Sequence, residues 1–249
     1  MLVIPHLKLY FTVEKVAVRA HLPSQMSNVT YVSALYNIYD RSGPSERLLK
    51  DVQVLLEQDL DLIIFVDEFY HKALSQLFRS SKVMVVLWDI AQSTIYNMIM
   101  ANTEHLHLPD HRSEDKDTHA YMALMNSKIE FLRLAQAYTT SPYLAWIDAG
   151  SSKMISDVSS YQRLKTLHVK PGLGVVIPGC YQNPRAFEAL FNDVWWNYLG
   201  TFFICEQVVV GKFYQYSIQA LVRFFSKARL AWEVNVWIDI CQKYPEIFT

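Results

Sequence analysis

The sequence predicts an α/β fold with one mostly parallel sheet flanked by helices. Short runs rich in Val, Ile, Tyr and Phe alternate with longer segments of helical period, which is typical of βαβ units. Several of these runs are almost continuously apolar, as expected for strands buried on both faces between helices. With 51% hydrophobic residues, the 249-residue chain can bury a sizeable core, so we predict a single domain over residues 1–249.

The first part of the chain contains three predicted strands, each followed by a helix. The first strand covers residues 29–39 and leads through a turn into a helix for which Ser45 is a suitable N-cap. The second and third strands cover residues 60–66 and 83–88. The first helix places these apolar side chains on one face: Leu48, Leu49, Val52, Leu55 and Leu56.

The middle of the chain contains a polar loop, a long helix and a fourth strand. Residues 105–118 are the most polar stretch and include Pro109, so they predict an exposed loop. A helical pattern follows over about residues 118–138, and residues 143–147 form the fourth predicted strand. Beyond Gly150 the pattern is less regular, with two more strand-like runs and two aromatic-rich helical segments.

Charge and cysteine content argue against several classes of protein. Lys and Arg total 23 against 24 for Asp and Glu, so no global field favours nucleic acid or an anionic membrane. Cys180, Cys205 and Cys241 are widely spaced, which argues against a disulfide framework or a structural zinc site. No apolar run approaches the length of a membrane span, and we see no signal peptide. We therefore expect a cytoplasmic protein without a nucleic-acid partner.

Four predicted strands end on an aspartate: Asp40, Asp67, Asp89 and Asp148. In open parallel sheets, ligands bind beyond the carboxyl ends of the strands, so these carboxylates are candidates for one binding site. Helix N-capping is the alternative explanation, because Asp is among the best N-cap residues. Asp148 differs from the others, since the small residues Ala149 and Gly150 follow it and leave room for a ligand near the backbone.

The long helix carries a lysine on its core-facing stripe. Lys128 shares this stripe with apolar residues spaced three or four positions apart, which are Tyr121, Leu124, Leu132 and Ala135. Burying an unpaired ammonium costs several kcal/mol, so this lysine either reaches water or meets an anion. Lys128 and Asp148 together suit a diphosphate group with a bridging divalent cation, since lysine neutralises phosphate and aspartate holds a hard metal through oxygen.

Two other groups of residues are better explained without a ligand. The loop before the long helix has residues of metal-ligand type, but their spacing fits no zinc pattern, so we interpret it as solvated loop or a mobile lid. These residues are His105, His107, Asp110, His111, Glu114 and His119. Trp195 and Trp196 could stack on a sugar ring, although large aromatic residues more often belong to the core.

The chain resembles the GT-A glycosyltransferases, in which a lysine-bearing helix leads into an apolar strand ending in an Asp-x-Asp motif. More narrowly, it resembles the HtrL/YibB family of glycosyltransferase-like proteins from bacteria and large DNA viruses. The similar segments are residues 121–131, 143–150, 199–204 and 232–237. The resemblance implies a GT-A-like, Rossmann-like domain, with a nucleotide-binding half at about residues 29–150 and an acceptor-side half at about residues 151–249.

The resemblance also implies an activity and a set of partners. The expected reaction transfers a sugar from a nucleotide-diphosphate sugar to a hydroxyl of a glycan or protein acceptor. A divalent cation, Mn²⁺ or Mg²⁺, is expected on Asp148. In this sequence Gly150 replaces the second acidic residue of Asp-x-Asp, so the ion would take further ligands from water and substrate phosphates.

Within the similar segments, Glu233 is the predicted general base for the acceptor hydroxyl, acting with Asp148. The alternative for Glu233 is a carboxylate at a helix start that interacts with the helix dipole. The residues predicted to bind nucleotide or sugar, besides the strand-end aspartates, are Asn126, Lys128, Gly150, Gly200 and Asn235. A catalytically silent nucleotide- or carbohydrate-binding module on the same fold is the alternative function, because fold alone does not confer activity.

Overall fold

The computed structural model describes residues 27–39, 45–77, 80–153, 155, 158–179 and 183–249. Asp40 and Cys180 lie outside these residues, and their predicted roles stay predictions. Within the described ranges, no helix is both long enough and apolar enough to cross a membrane.

A six-stranded sheet forms the centre of the molecule, in the order β3-β2-β1-β4-β6-β5. The strands are β1 (Val29–Leu35), β2 (Leu62–Val66), β3 (Val83–Leu87), β4 (Tyr143–Ile147), β5 (Val175–Val176) and β6 (Phe202–Glu206). The strands β1 to β4 pair in parallel, whereas β6 is antiparallel to both β4 and β5. Five of the six described strands therefore run in one direction, which confirms the predicted mostly parallel sheet.

Eight α-helices flank the sheet in the described part of the chain. They are α1 (Glu46–Leu56), α2 (Glu68–Leu77), α3 (Thr94–Met100), α4 (His119–Asn126), α5 (Lys128–Ala135), α6 (Val158–Lys165), α7 (Val210–Phe225) and α8 (Glu233–Lys243). Ser45 is the N-cap of α1, as predicted, because its side chain accepts a hydrogen bond from the N–H of Leu48.

Apolar side chains cover both faces of the sheet. Along β2, Leu62, Ile64 and Val66 belong to one buried cluster, and Ile63 and Phe65 belong to the other. Successive residues of a strand point to opposite faces, so each cluster packs on its own face of the sheet. Burial on both faces explains why this strand appears in the sequence as a continuous apolar run.

The predicted strands agree with the observed ones except at the end of β1. Residues 143–147 coincide with β4, and the second and third predictions contain β2 and β3. The first strand ends four residues early, at Leu35 and not at Tyr39. Beyond this point the N–H of Asn37 donates to Asp67 Oδ2 at 2.7 Å, and the hydroxyl of Tyr36 donates to the carbonyl of Trp88 at 3.0 Å.

The helix predicted over residues 118–138 is divided into α4 and α5 at Ser127. The Ser127 hydroxyl donates to the carbonyl of Ala123 at 2.8 Å, a bond of the kind that bends helices. The N–H of Ser127 is shared between the carbonyls of Ala123 and Leu124. Lys128 is consequently the first residue of a new helix, and its side chain is almost completely buried.

Glu130 fixes the position of α5 against α3. Its carboxylate is buried and accepts the hydroxyl of Ser93 at 2.6 Å, together with the N–H groups of Thr94 and Ile95 at 3.0 Å each. These N–H groups are at the start of α3 and have no partner within that helix. Glu130 thus acts as a helix cap supplied by another helix, and it sits two positions from Lys128.

Glu130→Ala should lower the free energy of unfolding by about 2–4 kcal/mol, because it leaves buried donors without an acceptor. Glu104→Ala is the matched control, since Glu104 is exposed in the turn after α3, and it should change stability by less than about 0.5 kcal/mol. Urea unfolding followed by circular dichroism measures both variants. Equal unfolding midpoints for the two variants would contradict the capping role.

Candidate functional site

The carboxyl ends of the parallel strands meet at one edge of the sheet. Asp67 follows β2 directly, Asp89 comes two residues after β3, and Asp148 follows β4 directly. Because these strands are parallel and paired in register, the three aspartates lie along the same edge. β2 and β4 are separated by β1, and their register places Asp67 two residues beyond Asp148 along the strand direction. At about 4.8 Å per strand spacing and about 3.3 Å per residue, the two backbones lie roughly 12 Å apart.

Asp67 and Asp89 both accept hydrogen bonds from backbone N–H groups. Asp67 Oδ1 accepts from Tyr70 at 2.9 Å in the first turn of α2, and its Oδ2 accepts from Asn37. Asp89 Oδ1 accepts from Ala91 at 2.9 Å and caps a 3₁₀ turn. Helix capping, the alternative considered for these aspartates, is therefore observed, and their contact with a nucleotide stays a prediction.

Lys128 joins Asp148 and Glu233 in a buried ionic cluster. Its Nζ lies 2.8 Å from Glu233 Oε1, 3.1 Å from Asp148 Oδ1 and 2.8 Å from the carbonyl oxygen of Gly200. The side chain of Lys128 is 1% exposed, that of Glu233 is 8% exposed and that of Asp148 is 28% exposed. The two predicted catalytic carboxylates thus lie side by side, with the more exposed one at the end of β4.

The charge of Lys128 is stabilised by these carboxylates. Burial by itself lowers the pKa of a lysine, but the negative charges of Asp148 and Glu233 outweigh burial and raise the pKa of Lys128 above its usual value. The ammonium form therefore persists at neutral pH. Its contribution to stability is complete below the ordinary lysine pKa and is lost only as the pH rises through the raised pKa of the folded protein.

All three N–H donors of the Lys128 ammonium are used within the protein. An ammonium has three donors, and here they match the oxygens of Asp148, Gly200 and Glu233. Neutralising a phosphate directly, the role expected from the sequence, would require one of these bonds to break. The observed role of Lys128 is to position the two carboxylates, and its contact with a phosphate stays a prediction.

Each carboxylate keeps one oxygen available for a ligand. Asp148 Oδ1 accepts from the indole N–H of Trp146 at 2.6 Å as well as from Lys128. Within the described ranges, Asp148 Oδ2 and Glu233 Oε2 have no hydrogen-bond partner. Among the described residues, these two atoms are the acceptors that the cluster leaves for a ligand, since its remaining oxygens bind Lys128.

Position 200 requires a glycine because its backbone lies close to the side chain of Glu233. A Cβ atom at this position would lie 2.4 Å from Glu233 Oε1 and 3.3 Å from Val234 Cγ1. The absence of a side chain lets the Gly200 carbonyl reach Lys128. Gly200, predicted as a ligand-binding residue, therefore contributes to the cluster through its backbone.

The two predicted asparagines hold the segments around α8. Asn126 donates to the carbonyl of Ala231 at 3.1 Å, just before α8. Asn235 is fully buried; its amide donates to the carbonyls of Leu190 and Asp193 and accepts from the N–H of Trp195. The structure gives both side chains a positioning role, and contact with a sugar hydroxyl stays a prediction.

Tyr121 is a neighbour of the cluster that the sequence did not single out as a site residue. Burial raises the pKa of its hydroxyl, and the negative charges of Glu233 and Asp148 raise it further. Tyr121 remains partly exposed, unlike Lys128. Its place on the same helical stripe as Lys128 was the signal that could have identified it.

The oxygens of Asp148 and Glu233 could hold a divalent cation only with help from other ligands. Among the described residues, no group of three or more His, Cys, Asp or Glu side chains is arranged to hold a metal. Magnesium is commonly held by one or two carboxylates together with water and substrate phosphates. Asp148 Oδ2, with Gly150 nearby to leave space, fits such an open site as its principal protein ligand.

A cleft lies beside the segment that follows Asp148. Its volume is about 310 Å³, and Ser151, Thr201 and Phe202 are among the residues that line it. The carbonyl of Thr201 accepts from the N–H of Asp148 at 2.9 Å, which places this cleft next to the carboxylate cluster. Its lining is mostly apolar, as is common in small-molecule sites.

The two tryptophans separate into a packed and an exposed residue. Trp195 packs on the core, and its indole N–H donates to the carbonyl of Ala189 at 2.7 Å. Trp196 is 52% exposed, so the prediction that it belongs to the core is wrong. Its neighbours are less exposed, since Trp195 is partly buried and Asn197 is buried.

The sheet and its flanking helices form a fold found among glycosyltransferases. One solved structure that shares it is the crystal structure of mouse Xyloside xylosyltransferase 1 in its apo form. The similarity covers 88% of this chain and 83% of that chain, with a TM-score of 0.50 and 10% sequence identity. At this identity the similarity shows the fold alone.

No protein-family model matches the chain, and no curated protein sequence matches it. The resemblance to the HtrL/YibB family therefore stays a prediction, whereas the resemblance to glycosyltransferases is supported at the level of the fold.

Gly200→Ala should lower the free energy of unfolding by about 1–3 kcal/mol, because the added methyl group must displace the Glu233 carboxylate from Lys128. Gly211→Ala is the matched control: it lies in α7 with open space around the added atom and should raise stability by about 0.5 kcal/mol. Urea unfolding of both variants tests whether the free energy of unfolding falls in Gly200→Ala and rises in Gly211→Ala. Gly200→Ala with the stability of the unaltered protein would show that Glu233 is not tightly held.

Proposed function

We propose that this protein is a glycosyltransferase that moves a sugar from a nucleotide-diphosphate sugar to a hydroxyl of a glycan or protein acceptor. The observation that carries the proposal is the pair of carboxylates, Asp148 and Glu233, held by Lys128 at the ligand-binding edge of the sheet. The glycosyltransferase fold supports it.

Asp148 is proposed to act on the donor side. It is the most exposed member of the cluster, and it is followed by the small residues Ala149 and Gly150. Asp148 Oδ2 would hold Mn²⁺ or Mg²⁺ together with water and the donor diphosphate. A bound divalent cation neutralises charge that develops on the departing diphosphate.

Glu233 is proposed to act on the acceptor side. Its Oε1 is fixed by Lys128, so its Oε2 is held in one direction and can accept the proton of an acceptor hydroxyl in an inverting transfer. The carboxylate is nearly excluded from solvent, which reduces competition from water. Glu233 is also the first residue of α8, where the helix dipole stabilises its negative charge.

The strand-end aspartates Asp67 and Asp89 are proposed to contact the nucleoside part of the donor. The backbone of Asp67 lies roughly 12 Å from that of Asp148, and Asp89 lies further away still, so neither can act on the atoms that react at Asp148. Their proposed role is to orient the nucleotide along the sheet edge. Asp40 lies outside the described residues, and its role as a nucleotide-binding residue stays a prediction.

A catalytically silent binding module is the second candidate. The observation that favours it is the complete use of the Lys128 donors within the protein, which leaves no cationic hydrogen-bond donor of the cluster for a phosphate. Such a module would bind a nucleotide sugar at the same edge without releasing the nucleotide.

Asp148→Asn and Glu233→Gln should each reduce transfer by at least about 100-fold, because each removes a charge that the reaction uses while preserving the side-chain shape. The measurement is nucleotide release from UDP-, GDP-, CMP- and dTDP-sugars across an acceptor panel. Thermal shift with each donor identifies the one that binds.

Asp115→Asn and Glu104→Gln are the matched controls, since both side chains are exposed and outside the cluster. Both should turn over at the rate of the unaltered protein. Full turnover by Asp148→Asn or Glu233→Gln removes that residue from the mechanism. Donor binding without nucleotide release by the unaltered protein identifies the silent module.

Mn²⁺ should bind weakly to the free protein and at least about tenfold more tightly in the presence of the nucleoside diphosphate, because the protein supplies one or two oxygen ligands. Electron paramagnetic resonance of free Mn²⁺ measures both affinities. Asp148→Asn should abolish the enhancement by nucleotide. Equal Mn²⁺ affinity with and without nucleotide would contradict the open site at Asp148.

A further inference from the structure

A second cleft, of about 500 Å³, lies outside the carboxylate cluster. Its lining combines residues of the polar loop before α4 with a residue of the segment before α8. The charged and ionisable side chains among them are His107, Asp110, Arg112, His119 and Arg229. Four of these five side chains are basic or can become so, and one is acidic.

The loop is attached to the segment before α8, and so the wall of the cleft is part of the folded domain. The N–H of His107 donates to the carbonyl of Ala228 at 2.9 Å, and the N–H of Leu230 donates to the carbonyl of His107 at 3.0 Å. Ala228 has a φ of 52°, which is costly for a residue with a side chain and is often found at functional sites. The loop is nevertheless mostly exposed, as predicted for a solvated loop, since His119 alone among its six residues of metal-ligand type is partly buried. Its role as a mobile lid stays a prediction.

The two arginines of the cleft lack close anionic partners. Arg112 donates to the carbonyl of Pro109 at 3.3 Å, while its buried Nε has no hydrogen-bond partner. Arg229 Nη1 lies 4.0 Å from the exposed carboxylate of Asp110 and 3.5 Å from Asn192 Oδ1, both of which are long contacts. A guanidinium group presents five N–H donors, so most of the donors of this pair remain for a ligand.

The cleft is close to the proposed catalytic carboxylates along two segments of the chain. Arg229 precedes Glu233 by four residues, and a fully extended chain of that length spans at most about 14 Å. His119 begins α4, the helix that carries Tyr121 and leads to Lys128. The cleft and the acceptor side of the cluster are therefore separated by at most about 14 Å along the backbone that joins them.

We infer that this cleft binds an oxyanion, and that in the reaction the oxyanion is a phosphate, sulfate or carboxylate group carried by the acceptor. The unpaired guanidinium donors of Arg112 and Arg229 provide its recognition, because guanidinium matches the geometry of these groups with paired hydrogen bonds. The inference that an anion binds here depends only on the residues of the cleft. The inference that the acceptor carries this anion rests on the proposed transferase function.

The first test is isothermal titration calorimetry with sodium phosphate at constant ionic strength. Arg112→Gln and Arg229→Gln should each weaken phosphate binding by about tenfold, since each removes charged hydrogen bonds. Lys227→Gln is the matched control: it removes one positive charge two residues from Arg229 on an exposed side chain outside the cleft, and it should leave the affinity unchanged.

Asp110→Asn distinguishes the loss of an anion site from misfolding of the arginine variants. It removes the one acidic side chain of the cleft and the nearest carboxylate to Arg229, so phosphate should bind more tightly. A misfolded protein cannot produce this gain. No phosphate binding by the unaltered protein at tens of millimolar, or the same affinity in all five proteins, overturns the anion site.

A second titration compares glucose 6-phosphate, glucose and inorganic phosphate. Tighter binding of the sugar phosphate than of inorganic phosphate supports an anion carried by the acceptor, whereas equal affinity assigns the cleft to the free ion and overturns the acceptor assignment. Glu233→Gln should bind phosphate normally, because Glu233 does not line the cleft. Phosphate binding in a protein that lacks transfer activity would retain the anion site and reject the transferase proposal.

Discussion

The buried ammonium of Lys128 is the constraint on which the site depends. Burying a charge is tolerated only when its hydrogen bonds and its counter-charge are supplied, and here three different parts of the chain supply them. Asp148 comes from the end of β4, the carbonyl of Gly200 from the turn before β6, and Glu233 from the start of α8. The positions of these three segments relative to α5 are thereby fixed together, and the lack of a side chain at Gly200 is a consequence.

The internal hydrogen bonds narrow the part of the sheet edge that is left for a ligand. Asp67 and Asp89 hold backbone N–H groups, and Asn235 holds the turn before Trp195. What remains is concentrated at Asp148 and Glu233, whose outer oxygens are directed by the bonds that their inner oxygens make with Lys128. Polar residues around the site therefore divide into many that build it and few that face a ligand. This division is typical of sites whose geometry must be held precise by a supporting layer of side chains.

The sequence predicted the parts of this protein that depend on local pattern. Strands β2 to β4 were found within one or two residues, because continuous apolar runs identify strands buried on both faces, and Lys128 was placed correctly on a core-facing stripe. The division of the long helix at Ser127 was missed, since it depends on one side-chain hydrogen bond. Of the partners of Lys128, only Asp148 was placed near it from the sequence. Glu233 was predicted as a site residue but not as a partner of Lys128, and the Gly200 carbonyl is a backbone atom that leaves no signal in residue type. Arg112 and Arg229 were not recognised because they are far apart in the sequence and line one cleft only in the folded chain, where His107 pairs with Arg229.

The long sequence separation within the ionic cluster makes its formation entropically costly. Lys128 and Glu233 are 105 positions apart, so the entropy of closing this loop must be offset before the two residues meet. A folding intermediate with the parallel strands formed but α8 undocked would expose Lys128 to water and leave Asp148 without its neighbour. Docking of α8 thus completes the burial of the ammonium and the pairing of the two carboxylates in a single step. In a form with α8 undocked, the outer oxygens of Asp148 and Glu233 would have no fixed position relative to each other, so the candidate site exists only in the fully docked domain.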